Sequence, residues 1–131
     1  MARTILVVDD EPDLVANCER LLRSLGHVSL NAHTGLTAMA LIDSEHPQLV
    51  VTDLRLPGAD GLAVTRHARA HSPPIPVIII TAYDSPHARS AAREAGVSAY
   101  LAKPFLNAAF LDAVRRALPG AAARGPEVPA Q

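Results

Sequence analysis

Tryptophan is missing from this chain of 131 residues, and two tyrosines and two phenylalanines are its whole aromatic content. Surfaces that stack nucleic-acid bases need more than that. Charge of either sign is not in excess: twelve basic side chains against thirteen acidic ones leave a formal charge of −1, so neither nucleic acid nor an anionic membrane is an expected partner. Cys18 stands alone and cannot form an intrachain disulfide. The first residues lack the charged, apolar, then small-residue order of an export signal, and no apolar run approaches the roughly 20 residues that span a bilayer. A cytoplasmic location is therefore expected. No Walker loop and no Gly-x-Gly-x-x-Gly fingerprint offers to cradle a nucleotide.

What remains is a globular composition, 49% hydrophobic and 19% charged, of a length that suits one core. Short apolar runs at Thr4 to Val8, Val28 to Ala32, Leu49 to Thr52, Pro76 to Thr81 and Ser98 to Ala102 alternate with helix-like segments. That alternation predicts a parallel sheet. The first and fourth runs are continuous and rich in β-branched residues, as strands covered on both faces are, whereas the less apolar second and fifth read as edges.

Helices are predicted from Pro12 to Gly26, Gly35 to Ser44, Gly61 to His71, Ser85 to Ala95, and from a cap at Asn107 to Leu118. The first buries Leu14, Cys18, Leu21, Leu22 and Leu25, which makes Cys18 a core residue. The second carries Leu36, Met39, Ala40 and Leu41. The fourth has an inner face of alanines (Ala88, Ala91, Ala92, Ala95) and is expected to be the most easily displaced. The fifth carries one stripe at Phe110, Ala113 and Ala117 and another at Leu111, Val114 and Leu118, one for the sheet and one for a partner. From residue 119 apolar periodicity ends; the expectation is a domain over residues 1–118 and a disordered tail or truncated linker over 119–131.

Ligands of such sheets bind outside the carboxyl ends of the strands. Asp9 and Asp10 follow the first strand, Asp53 the third, Thr81 closes the fourth, and Lys103 follows the fifth. Three carboxylates drawn together call for a hard divalent ion, with Mg²⁺ favoured and Mn²⁺ as its substitute. Acidic ligands, an ammonium and a hydroxyl together describe a phosphoryl-transfer site, and Asp53, alone at its loop, is the better acceptor. Each residue also has a plainer reading. Asp9-Asp10 suits a helix N-terminus, Thr81 and Tyr100 suit strands, and Gly58 and Gly61 suit turns. His67 and His71, four apart, lack a zinc motif and read as part of a polar outer face with Arg66 and Arg69.

In combination, Ile5-Leu6-Val7-Val8-Asp9-Asp10-Glu11-Pro12, Asp53-Leu54-Arg55-Leu56-Pro57-Gly58, Asp60-Gly61, Thr81-Ala82 and Lys103-Pro104-Phe105 resemble the receiver domain of two-component response regulators, over Thr4 to about Leu118. The resemblance implies a flavodoxin-like doubly wound (βα)5 fold, a five-stranded parallel sheet in strand order 2-1-3-4-5. It implies Asp53 as phosphoacceptor, served by a sensor histidine kinase or phosphotransfer protein. Mg²⁺ would be ligated by Asp10, Asp53 and the backbone carbonyl of Arg55, with Asp9 acting through water. Lys103 and Thr81 would hold phosphoryl oxygens, helped by the backbone N–H groups of Arg55 and Ala82. Thr81 and Tyr100 would form the switch, Arg55 and Tyr83 would modulate water access, and the Lys103-Pro104 bond would be cis. A homodimer through the fourth helix, fifth strand and fifth helix is a further possible partnership, with the oligomeric state left open.

Two rivals use the same architecture. A Mg²⁺-dependent phosphohydrolase of the aspartyl-phosphate type usually has an acid two positions after its nucleophile, where this chain has Arg55. A flavin-binding domain would have Ser, Thr and Gly where the carboxylates stand.

Overall fold

The computed structural model describes residues 3–118; the predicted tail lies outside them. Along the chain run β1 (Thr4–Val8), α1 (Pro12–Ser24), β2 (Val28–Ala32), α2 (Gly35–Glu45), β3 (Leu49–Asp53), α3 (Gly61–Arg69), β4 (Val77–Thr81), α4 (Pro86–Ala95), β5 (Ala99–Ala102) and α5 (Asn107–Ala117). All strand pairs are parallel, in the order β2-β1-β3-β4-β5. This is the predicted architecture, with the chain reversing direction of travel across the sheet between β2 and β3.

Side chains alternate across a strand, so each strand feeds two cores. Ile5, Val7, Leu49, Val51, Ile78 and Ile80 point to one face and meet α1 through Val15, Cys18, Leu21 and Leu22, and α5 through Phe110, Ala113 and Val114. Leu6, Val8, Val50, Val77 and Ile79 point to the other, under Ala38 and Ile42 of α2, Val64 and Ala68 of α3, and Ala92 of α4. The three central strands are buried almost throughout, while β2 and β5 are partly exposed edges. Ala92 is the only fully buried residue of α4, whereas α1 buries Val15, Cys18, Leu21 and Leu22. At roughly 0.8 kcal/mol per buried CH₂, α4 is anchored by far the least. Burial pushes the Cys18 thiol up to about 12, a core thiol rather than a reactive one.

α2 turns Ala38 and Ile42 inward, while Leu36 and Ala40 are exposed and Met39 and Leu41 only half-buried; apolar residues lie all around this helix, so periodicity could not orient it. Three expectations need correction. Asn107 is the first residue of α5, not its cap; that position falls to Leu106, which has no side-chain acceptor, and Asn107 instead accepts a hydrogen bond from Asn17 at 3.4 Å. Both stripes of α5 go to one core, Leu111 and Ala117 packing beside Phe110, Val114 and Leu118, so no second stripe is left free for a partner. Gly61 does not serve a turn. Its backbone is ordinary, but an added Cβ would fall 2.1 Å from the Asp53 carbonyl oxygen. Gly58, with φ +77°, is the turn glycine.

Candidate functional site

The carboxyl ends of β1, β3, β4 and β5 converge on one spot. β1 delivers Asp9 fully buried and Asp10 exposed, and β3 ends on Asp53, which keeps 7% of its surface. Oxygens of Asp9, Asp10 and Asp53 all lie within 4.8 Å of one another. At that separation Asp9 and Asp53 alone repel by about 3 kcal/mol at an effective dielectric of 20. Lys103, presented after β5 by a hydrogen bond from its N–H to the Thr81 carbonyl (2.8 Å), meets this charge directly. Its Nζ lies 3.1 Å from Asp9, 3.2 Å from Asp53 and 2.8 Å from Glu11. The Lys103-Pro104 peptide is cis.

The titration of these groups follows from the geometry. Burial is the largest influence on Asp9 and raises its pKa, against the Glu11 N–H, which donates to Oδ1 at 2.9 Å, and against Lys103. For Lys103 burial works against the charge, but Glu11, Asp9 and Asp53 together outweigh it and hold the ammonium above its ordinary range. The lysine is thus a fixed positive charge at any physiological pH.

The remaining predicted residues surround this centre. The Arg55 N–H donates to Asp53 Oδ1 at 3.3 Å. The Arg55 guanidinium lies 4.1 Å from the ring centre of Tyr83, a contact between the β3–α3 and β4–α4 loops. Thr81 is fully buried, and its Oγ1 accepts from the Tyr83 N–H at 3.0 Å. Ala82 is exposed and lines the groove beside Lys103 with Glu11, Leu14 and Phe105. Gly61 lets the first turn of α3 press on the Asp53 backbone, its N–H donating to the Leu54 carbonyl at 2.9 Å, while Asp60 caps the helix through the Ala63 N–H.

Tyr100 stands apart from the carboxylates. It pairs with Ile79 in the sheet, one pleat behind the Thr81–Ala102 pair. Its ring packs in the second core under the guanidinium of Arg89, 5.0 Å away, with its hydroxyl near the Asp84 carboxylate. Arg89 is itself held by both oxygens of Asp84 at 2.8 Å. Burial first, then the nearby Asp84 carboxylate, raise the Tyr100 pKa.

Sequence reasoning missed three partners. Glu11, the shortest contact of Lys103, lies in the acidic run at Asp9 and its adjacency was the available signal. Asp84 and Arg89 bear no motif and are joined to Tyr100 only by the fold. At the opposite end of α3, His67 and His71 do not simply face solvent: both rings meet Asp43 of α2.

Comparison with known proteins agrees with this geometry. A family model described as the response regulator receiver domain matches residues 5–115. The response regulator MprA of Mycobacterium ulcerans is 38% identical over 105 residues, 80% of this chain and 45% of that protein, so the chain spans about half the length of the curated relatives it matches. Among solved structures, a protein assigned as a response regulator from Chloroflexus aurantiacus superposes with a TM-score of 0.81 at 32% identity, covering 88% of this chain and 96% of that one. A CheY-like receiver domain protein from Methanospirillum hungatei gives a TM-score of 0.81 at 26% identity, covering 87% and 91%.

Proposed function

Since the chain belongs to the response regulator receiver family of two-component signalling, we propose that it accepts a phosphoryl group on Asp53 and converts that event into a changed surface around α4 and β5. The observation that carries this reading is the position of Lys103 Nζ, 3.2 Å from Asp53 and 3.1 Å from Asp9 at the carboxyl end of the sheet. Of the neighbouring carboxylates, Asp9 has both oxygens engaged and no exposed surface. Asp10 precedes the first turn of α1. Asp53 alone combines a strand-end position, a small exposed surface and an adjacent backbone donor.

The donor is the phosphohistidine of a sensor kinase or phosphotransfer protein. An Asp53 oxygen attacks phosphorus, the N–P bond breaks as the O–P bond forms, and the departing imidazole nitrogen keeps the electron pair and takes up a proton. The cluster of carboxylate oxygens within 4.8 Å fits a hard divalent ion. Asp10, Asp53 and the Arg55 carbonyl would hold Mg²⁺, or Mn²⁺ in its place, with Asp9 acting through water. When bound, the ion supplies charge neutralisation for carboxylates and phosphoryl oxygens. Lys103 then exchanges a carboxylate partner for a phosphoryl oxygen, and the N–H groups of Arg55 and Ala82 donate to others.

Thr81 accepts from Tyr83 N–H, which leaves its own hydroxyl proton free to donate toward the phosphoryl group. Movement of Thr81 in that direction draws the Tyr83 backbone with it, and with Tyr83 the start of the β4–α4 loop. Tyr100, which lies under Arg89 of α4 and beside the Asp84 carboxylate of the loop before it, follows that movement. With only Ala92 anchoring it, α4 yields readily. The α4 and β5 side, continued by the exposed polar face of α5 at Asp112, Arg115 and Arg116, is accordingly the surface offered to an output partner or to a second copy of the chain. Residues 1–118 form the receiver unit in this reading, and 119–131 a tail or linker.

Incubation of the full chain with Mg²⁺ and a small phosphodonor, followed by intact mass measurement, tests the proposal. One phosphoryl group is expected on the wild type, labile as an acyl phosphate and absent from Asp53→Ala. An adduct that persists in Asp53→Ala, or one stable to hydroxylamine, overturns it.

A further inference from the structure

Asp43 lies in the last turn of α2, His67 in α3, and His71 just past the end of α3. The Nε2 atoms of both histidines point at the same oxygen, Asp43 Oδ1, at 2.8 Å and 2.9 Å. Residues four apart share a helix face, but nothing in helix geometry requires both rings to present the same nitrogen to one atom on a neighbouring helix. Two imidazole nitrogens and a carboxylate oxygen converging this closely are the donor set of a chelate. In a tetrahedral site with bonds of 2.0–2.2 Å, neighbouring ligand atoms stand about 3.3 Å apart. A few tenths of an ångström of outward movement would therefore open a place for an ion, and all three side chains keep exposed surface through which one could enter.

We propose that Asp43, His67 and His71 form a binding site for a borderline divalent transition-metal ion of the Zn²⁺ type, with solvent completing the coordination. Imidazole donors select such ions over Mg²⁺, which takes oxygen ligands and keeps its water. The carboxyl-terminal ends of α2 and α3 meet here and place partial negative charge next to the cation. The ion takes the place of hydrogen on both Nε2 atoms: a neutral ring carries its proton on Nδ1 instead, a protonated ring releases the Nε2 proton to solvent, and no electron is transferred.

The site is separate from the carboxylate cluster. The nine residues of α3 put about 13 Å between its first turn, against Asp53, and its end near His71. The ion would clamp α2 to α3, two helices of the same core, and raise the stability of the domain by binding only the folded state.

The test is calorimetric titration of the full chain, freed of any affinity tag, with Zn²⁺ alone in the presence of millimolar Mg²⁺. One saturable Zn²⁺ per chain is expected. Asp43→Asn and the double variant His67→Ala/His71→Ala should each weaken it more than about tenfold, the lower bound for losing even an outer-shell partner. These side chains lie at the surface, and circular dichroism checks that the variants fold. Independently, Zn²⁺ should shift the imidazole resonances of His67 and His71 in the wild type, leaving those of His27 and His87 in place. Absence of saturable binding, unchanged binding by the double variant, or Zn²⁺ shifts at other histidines only, would overturn the proposal.

Discussion

Adding one methyl group at Gly61 is expected to damage this domain more than the same change at Gly58, for a different reason. An ideal Cβ on Gly61 falls 2.1 Å from the Asp53 carbonyl oxygen and 2.9 Å from Leu54 Cα, more than 1 Å inside ordinary contact with the oxygen. Neither neighbour is a flexible side chain. The end of β3 or the first turn of α3 must move, and with it the 2.9 Å hydrogen bond from Gly61 N–H to the Leu54 carbonyl and the 2.7 Å bond from Thr65 Oγ1 to the Gly61 carbonyl. Overpacking of about 2 kcal/mol together with one weakened buried hydrogen bond of about 1 kcal/mol gives a loss near 3 kcal/mol. For a domain of this size that is a fall in Tm of about 12 °C.

At Gly58 an added Cβ meets nothing within 4 Å, and only its φ of +77° resists substitution. About 1 kcal/mol is expected there for Ala, and less for Asn, which tolerates the left-handed region. Asn at Gly61 should bring no such relief, since its Cβ meets the same backbone. Urea unfolding of the four variants, with the rate of phosphoryl uptake on Asp53 measured alongside, tests the distinction. A Gly61→Ala domain within 1 kcal/mol of wild type, or one Ala-to-Asn ordering shared by both positions, would refute the steric argument.

Asp9 has a raised pKa in the fold, led by burial, so its ionisation costs stability: the cost is absent below the ordinary carboxylate range, grows as pH rises from there through the raised value, and is complete above it. Asp9→Asn is therefore expected to be more stable than wild type by about 1 kcal/mol at pH 7 without Mg²⁺, the gain vanishing on acidification; a less stable variant at pH 7 counts against it. Arg55→Ala/Tyr83→Ala removes the cation-π pair that joins the two loops and should speed loss of the acyl phosphate severalfold, whereas unchanged decay in a mass-spectrometric time course would dismiss the pair as a barrier to water. Arg89→Ala breaks an exposed pair and should alter global stability by less than about 1 kcal/mol, yet hydrogen exchange across α4 should quicken as Tyr100 loses its cover; equal protection would show that Arg89 does not restrain the helix. Cys18, with its pKa pushed up by burial to about 12, should resist alkylation at pH 7 until the chain unfolds, and rapid labelling of the native protein would contradict its core position.

What could be read from the residues alone divides along a physical line. The central strands were legible because burial on both faces writes itself as an unbroken β-branched run, as in Val77 to Ile80. Asp9, Asp53, Thr81 and Lys103 were legible because the end of a strand is a place along the chain, and parallel pairing makes all such ends neighbours. Properties that belong to a pair of elements leave no comparable trace. Gly61 has the appearance of a turn glycine, but its reason is a carbonyl oxygen eight positions earlier that α3 presses against. Asp43 is an unremarked acid on a helix until α3 brings His67 and His71 to it across 24 and 28 residues.

The same limit explains α2 and α5. A helix apolar on several sides has no period that says which side is inward, so nothing along the chain marks Ala38 and Ile42 as the inward pair of α2, and the two stripes of α5 share one core instead of dividing between a core and a partner. Tyr100 combines both situations. Its place on β5 follows from the chain, but the cover of Arg89 and the brace of Asp84 come from α4 and the loop before it. The restraint on the proposed switch therefore resides in tertiary contacts made by the helix with the least buried surface. Those contacts are the ones that a change of charge at Asp53 can rearrange at the smallest cost in core packing.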